Sequence, residues 1–213
     1  MEDKYWSFEE LKLEEKCWKD FQNYGSFFGD AKISLLAIHG WWIEPWTEEI
    51  VRDLYDILSD ISSFYVFAGR KNSGNKDLHI KSIHFDDPLA IAVVSSSEFC
   101  CSFHGFDSED LHIIVWGIDE KLKQEFAEIF QKKLKNNNLQ DIKIEIRSEW
   151  KFSATDEKNI VNCSRLQKGI QLELSNGLRK EFFVDLNSRR WREQKTSEYW
   201  SFIQALSDYL SEI

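Results

Sequence analysis

His39 and Glu44 flank a short turn, and their side chains are of the types that bind zinc. In Leu35-Leu-Ala-Ile-His39-Gly-Trp-Trp-Ile-Glu44-Pro-Trp-Thr47 an apolar strand runs into the histidine, and the glutamate stands where a helix begins. An imidazole and a carboxylate on one rim of a sheet, joined by a third ligand, make an open zinc site of the catalytic kind. The third candidate is His104, which ends the apolar run Phe99-Cys-Cys-Ser-Phe103, and Glu173 lies near the end of Gly169-Ile-Gln-Leu-Glu-Leu174. Two neutral imidazoles, a carboxylate and Zn²⁺ leave net positive charge, in whose field water is acidified toward a nucleophile. Each residue also has a plainer reading. His39 suits a turn or a core, Glu44 complements a helix N-terminus, and Glu173, between two leucines, suits a solvated sheet face.

The elements that would carry these groups alternate. Ser7-Phe-Glu-Glu10 resembles a capping box ahead of a short helix with Leu11 and Leu13. Residues 33–38 read as a strand covered on both faces. Pro45 suits a first helical position, and Ile50, Leu54, Ile57 and Leu58 give that helix one apolar face. Residues 64–67 are predicted as a strand, a loop follows over 69–75, and another extended piece begins at Leu78-His-Ile80. Asp87-Pro88 reads as the cap and first position of a helix. Residues 99–103 and 111–116 are predicted strands, and residues 119–135 an amphipathic helix with Leu122, Phe126, Ile129, Phe130 and Leu134 on one face. Ile142-Lys-Ile-Glu-Ile146 alternates as an edge strand. Residues 169–174 make a last strand, and residues 197–210 a closing helix. The expected class is α/β, a single domain over residues 1–213 with an open, mixed, mostly parallel sheet and helices on both faces. In such sheets ligands gather beyond the carboxyl ends of the strands.

Composition narrows the partners. The chain has 213 residues, 42% of them hydrophobic, and only two prolines, which suits one globular domain. A net charge of -10 disfavours nucleic acid and anionic membranes as partners. No apolar run approaches the roughly 18 residues of a membrane span, and the acidic N-terminus does not resemble a signal peptide. Cys17, Cys100, Cys101 and Cys163 form no CxxC pair and read as small buried hydrophobes in a reducing cytoplasm. A cytoplasmic monomer is the expectation.

Collinear motifs run through most of the chain: Tyr5-Trp-Ser-Phe-Glu-Glu-Leu11, Ile38-His-Gly-Trp-Trp-Ile-Glu-Pro-Trp-Thr47, Leu78-His-Ile-Lys-Ser82, His84-Phe-Asp-Asp-Pro88, Ser102-Phe-His-Gly105, Asn159-Ile-Val-Asn162, and Gly169 to Ser175 followed by Leu178-Arg179. Together they resemble the poly-γ-glutamate hydrolase family, phage-associated zinc enzymes with a zinc carboxypeptidase-like α/β fold. The resemblance implies that His39, Glu44 and His104 bind Zn²⁺ and that Glu173 is the general base and acid. Arg179 is the candidate for sharing an oxyanion's charge, and His79, Asn162 and Trp41 are candidate substrate contacts. The expected substrate is a polyanionic, peptide-like chain or a small amide. A basic pocket drawn from Arg70, Lys71, Lys81, Arg165 and Arg179 is expected to receive its carboxylates.

The chain departs from the family pattern where His-Gly-Gly-x-Ile-Glu-Pro-x-Thr would be expected. Trp41, and with it Trp42, stands on ground usually held by glycine, and Trp46 where a small residue is common. Cys163 replaces a usual basic residue. The rings either line the pocket or pack away under an altered turn. The function expected is therefore hydrolysis of an amide beside a carboxylate. A zinc carboxypeptidase or amidase for a bulkier substrate, or a zinc-binding homologue without catalysis, are the alternatives.

Overall fold

In the computed structural model, residues 3–27, 29–148, 154–184 and 194–213 are described. Seven strands form one mixed sheet: β1 (Phe21–Ser26), β2 (Ala31–Trp41), β3 (Ser62–Gly69), β4 (Ser97–Phe106), β5 (His112–Trp116), β6 (Lys143–Ile146) and β7 (Lys168–Ser175). Their spatial order is β1-β3-β2-β4-β7-β5-β6. The four central strands, β3, β2, β4 and β7, run parallel, β1 joins β3 antiparallel, and β5 turns against β7 and pairs parallel with β6. Six α-helices are described: α1 (Phe8–Glu14), α2 (Thr47–Leu58), α3 (Pro88–Ser95), α4 (Glu120–Asn136), α5 (Asn176–Phe182) and α6 (Ser197–Leu210). The single-domain α/β architecture with a mixed sheet is the expected one.

Alternation along the central strands divides the core into two layers. Ile33, Leu35 and Ala37 of β2, with Phe99, Cys101 and Phe103 of β4, face α2, α4 and α6 through Ile50, Leu54, Phe126, Phe130, Phe202 and Leu206. Leu36, Ile38 and Cys100 point the other way, toward Tyr5, Leu11, Val93 and Val94 on the α1 and α3 side. Because both faces are covered, these strands are nearly continuous apolar runs. The helix starts follow local chemistry. Ser7 accepts from Glu10 N, Asp87 from Leu89 N, Asp119 from Leu122 N and Thr196 from Tyr199 N.

Four local expectations change. Helix α2 begins at Thr47, not at Pro45, because Trp46 ahead of it has φ 85°, a left-handed conformation that breaks the helical path. The extended piece expected from Leu78 starts at His79, because Leu78 closes a 3-10 turn over Asn75–Leu78, and it belongs to no strand. The outer edge of β3 is already taken by β1, a strand whose Gln22, Asn23 and Gly25 give a weak β signal. Ile57 and Ile129, counted on apolar faces, are exposed, and so are Cys17 and Cys163, expected to be buried.

Candidate metal centre and active site

Parallel β2, β4 and β7 bring their carboxyl ends to one edge of the sheet, and each carries a chemical group there. The register of β2 against β3 shifts between Ala37 and Gly40, so His39 sits at an irregularity inside the strand and not after its end. His104 pairs directly with Glu173 across β4 and β7. Glu44 is folded back to this edge by a tight turn, in which Glu44 N donates to His39 O at 2.7 Å and Ile43 N to Gly40 O at 3.4 Å. The hydroxyl of Thr47 then donates to Glu44 O, tying the turn to the start of α2.

Three ligand groups converge. His39 Nδ1 lies 3.0 Å from Glu44 Oε1 and 3.0 Å from His104 Nδ1, while His104 Nδ1 is 3.4 Å from Glu44 Oε2. His39 Nε2 donates to Ile80 O at 2.8 Å. In the neutral ring that bond leaves the lone pair on Nδ1, the arrangement in which a backbone carbonyl fixes the tautomer of a metal-binding histidine. Both imidazoles are buried, and His104 Nε2 has no hydrogen-bond partner among the described residues. Gly105 N donates to Glu44 Oε2 at 3.0 Å, which fixes the carboxylate from its other side. Lone pairs this close need a cation among them, a proton or a metal.

The electrostatics agree with that need. Burial by itself would push the Glu44 carboxyl up, but the imidazoles of His39 and His104 outweigh it and hold the group well below the usual carboxylate range. For His104 burial works downward, and the bond to Glu44 overcomes it and raises the imidazole above its ordinary value. Glu173 differs. Burial pushes its carboxyl up, the neighbouring Glu44 charge adds to this, and His104 opposes it only in part. Its Oε1 accepts from Gln171 Nε2 at 2.8 Å. Two interacting carboxylates are thus driven in opposite directions, one toward permanent charge and one toward holding a proton.

His79 also reaches this cluster. Its ring stacks on His39 with centroids 4.0 Å apart, and its Nε2 is 3.8 Å from Glu44 Oε1. His39, Glu44 and His79 offer ligand atoms all within 4.8 Å of one another, so His79 is a further possible donor. The tighter set is the one with His104. On its far side His79 Nδ1 pairs with Asp3 Oδ1 at 2.8 Å, and Asp3 Oδ2 accepts from Lys81 N. Asp3 carried no motif, and its place beside His79 comes entirely from tertiary folding.

Arg179 is buried on α5, the short helix after β7. Its guanidinium donates to the carbonyls of Pro45, Phe106 and Ser175 at 3.0, 3.3 and 3.3 Å. It lies flat against Gly105, where a Cβ would fall 2.7 Å from Arg179 Cζ, so only glycine admits the guanidinium at this point of the strand. Burial lowers its proton affinity, while the charges of Glu44 and Glu173 raise it.

A cleft of about 590 Å³ opens beside the cluster, bordered by Glu44, His79, Gly105, Arg179 and Trp42 among others. Trp41 and Asn162, both expected at the substrate, are not among its lining residues. Trp41 packs against the opposite core layer, with the Arg70 guanidinium 4.0 Å from its ring centroid. Its φ of 59° lies in the left-handed region, which glycine enters without strain and a residue with a Cβ does not. Trp46 is fully buried and stacks on Phe183 at 3.7 Å. Asn162 is buried and donates to the carbonyls of Ala154 and Asp156, so it organises a loop. The expected basic pocket is also not formed. Among its five candidates only Arg179 lines the cleft. Arg70 bonds Glu48 and Gln22, Lys71 pairs with Glu15, and Arg165 pairs with Asp30 and Glu98.

Known proteins match the chain over most of its length. The family model for poly-gamma-glutamate hydrolase matches residues 5–205. The UPF0714 protein YndL of Bacillus subtilis (strain 168) is 32% identical over 211 residues, covering 98% of this chain and 78% of YndL. The SPbeta prophage-derived UPF0714 protein YoqZ of the same strain is 30% identical, covering 99% of this chain and 72% of its own. Among solved structures, a bacteriophage poly-gamma-glutamate hydrolase superimposes with a TM-score of 0.87 at 28% identity, covering 99% of this chain and 98% of that one. Zinc-free apo YndL superimposes with a TM-score of 0.86 at 32% identity and the same coverage. The chain therefore belongs to the poly-gamma-glutamate hydrolase family.

Proposed function

We propose that this protein is a zinc-dependent hydrolase of γ-glutamyl amide bonds, with poly-γ-glutamate as its substrate. The observation that carries the proposal is the convergence of His39 Nδ1, His104 Nδ1 and the Glu44 carboxylate at 3.0–3.4 Å. Ligands about 2.0–2.1 Å from a tetrahedral zinc stand roughly 3.3 Å from one another, and the donor set is of the two-histidine, one-glutamate catalytic type. Bound there, zinc would acidify water and polarise the scissile carbonyl.

The remaining work falls to the chain's own residues. Glu173, whose carboxyl is raised by burial, accepts a proton from the attacking water as the carbon–oxygen bond forms. It returns that proton to the departing nitrogen as the carbon–nitrogen bond breaks, so one group serves as base and then as acid. Arg179 borders the cleft and shares the negative charge that develops on the carbonyl oxygen. His79, fixed by Asp3, is assigned to the substrate from the cleft wall. A net charge of -10 supports a reading without nucleic-acid partners, and we assign the protein to the cytoplasm as a monomer.

Zinc content of the purified protein, measured by mass spectrometry, should approach one ion per chain. Loaded protein should shorten poly-γ-glutamate, and Glu173→Gln should keep the metal while losing about 10²–10⁴-fold in kcat. Zinc-loaded protein that leaves the polymer intact would refute the substrate, and an active Glu173→Gln would remove Glu173 from the chemistry.

A further inference from the structure

The charges around the cleft do not match those of a groove that gathers a polyanion. With Glu44 assigned to the metal, the described lining residues set three carboxylates, Asp3, Asp77 and Asp107, against three cations, Lys4, Lys76 and Arg179. Lys4 already pairs with Glu14 and Glu15 at 3.3 and 3.5 Å, and Arg179 is bound by three carbonyls. Apart from the metal centre itself, the described lining residues therefore add no net positive charge to offset the -10 of the whole chain. Besides the polar His79 and Asn176, the described lining has an apolar part. Trp42, Pro45 and Phe106 supply it, and the volume of about 590 Å³ is that of a small-ligand site.

We propose that the cleft selects one or two glutamyl units by apolar contact of their methylene stems with Trp42, Phe106 and Pro45, with Trp42 the specificity-determining residue. Charge then works against a long polymer, because the acidic protein repels the carboxylates that remain outside the cleft. This rests on the γ-glutamyl reading above and adds a sign to it. Screening shortens the range of that repulsion to about 10 Å at 0.1 M salt and less beyond, so salt speeds the encounter. A basic groove would behave in the opposite way, losing affinity as salt rises.

The test measures kcat and KM of zinc-loaded protein on poly-γ-glutamate from about 0.02 to about 0.3 M NaCl, with Trp42→Ala and Trp42→Phe alongside. For the native chain kcat/KM should rise about threefold or more with salt. Trp42→Ala should raise KM about tenfold with little change in kcat, and the Phe variant should recover most of the loss, since its ring keeps much of the apolar contact. A kcat/KM that falls with salt, or a folded Trp42→Ala with native KM, overturns this inference and leaves the proposed activity standing. No cleavage at any salt concentration overturns the activity and this inference together. The salt series on the native chain decides the matter even if Trp42→Ala does not fold.

Discussion

Trp41 offers a direct test of the turn that positions Glu44, because its backbone and its side chain have opposite effects on stability. At φ 59° a residue with a Cβ is strained, at a cost of about 1–2 kcal/mol. The indole compensates. It packs against the α2 layer beneath Arg70, 4.0 Å from the guanidinium, a stack worth about 1 kcal/mol. Removing roughly 100 Å² of apolar contact forfeits about 2.5 kcal/mol more. Trp41→Ala loses both contributions and keeps the strain, so it should be about 3.5 kcal/mol less stable than the native chain. Trp41→Gly loses the same contacts but relieves the strain, and should lie about 1 kcal/mol above the alanine variant. This reverses the usual order, in which glycine is the weaker of the two by about 0.5–1 kcal/mol. Urea unfolding followed by far-ultraviolet circular dichroism measures both variants without relying on the missing fluorophore. At about 2–4 °C per kcal/mol, the melting temperatures should fall by about 10 °C for alanine and about 7 °C for glycine. A glycine variant less stable than the alanine variant would refute the strain, and native stability in both would refute the packing.

Further outcomes follow from the same geometry. Gly105→Ala puts a Cβ 2.7 Å from Arg179 Cζ; the guanidinium must move, which should cost about 1–3 kcal/mol and weaken zinc binding measured by competition with a chromophoric chelator. Native zinc affinity and stability in this variant would contradict the close approach. Removal of zinc by a chelator should lower Tm and re-addition restore it, as binding to the folded state alone requires; a Tm indifferent to zinc would count against a site preformed on the sheet edge. Burial pushes the His112 imidazole below its ordinary value of 6.5, so below that pH the unfolded chain takes up the proton first and stability declines as pH falls. His112→Asn should flatten the stability profile as pH falls below 6.5, and an unchanged slope would show that this imidazole is not responsible.

Much of the framework was legible in the residues themselves. Continuous apolar runs announced β2 and β4, heptad-like spacing announced α4, and the Asp87-Pro88 and Ser7 caps marked two helix starts, because these signals are local and need only the strand and helix periods. The chemical types of His39, Glu44, His104 and Glu173, each near a strand end, were local as well, and a parallel sheet necessarily collects such ends on one edge. Strand β1 was not legible, since its polar residues are held by pairing with β3. The left-handed residues at 41 and 46, which shape the Glu44 turn and delay α2 to Thr47, were not legible either, because neither tryptophan favours that conformation and only the surrounding packing imposes it.

Side-chain direction belonged wholly to the tertiary structure. Composition and spacing could name Trp41 and Trp42 together but could not separate them. The shift in register near Gly40 and the positive φ at Trp41 turn one indole under Arg70, while the other lines the cleft. Cations scattered through the sequence looked like a basic pocket, but Glu48, Glu15 and the pair Asp30 and Glu98 claim three of them, Arg70, Lys71 and Arg165, and Lys81 is not among the cleft's described lining residues. Residue types set which atoms are available to bind a metal or move a proton. Which of them meet depends on contacts between residues far apart in the chain, such as Asp3 with His79 and Glu44 with Gly105, and those are made only when the sheet has closed.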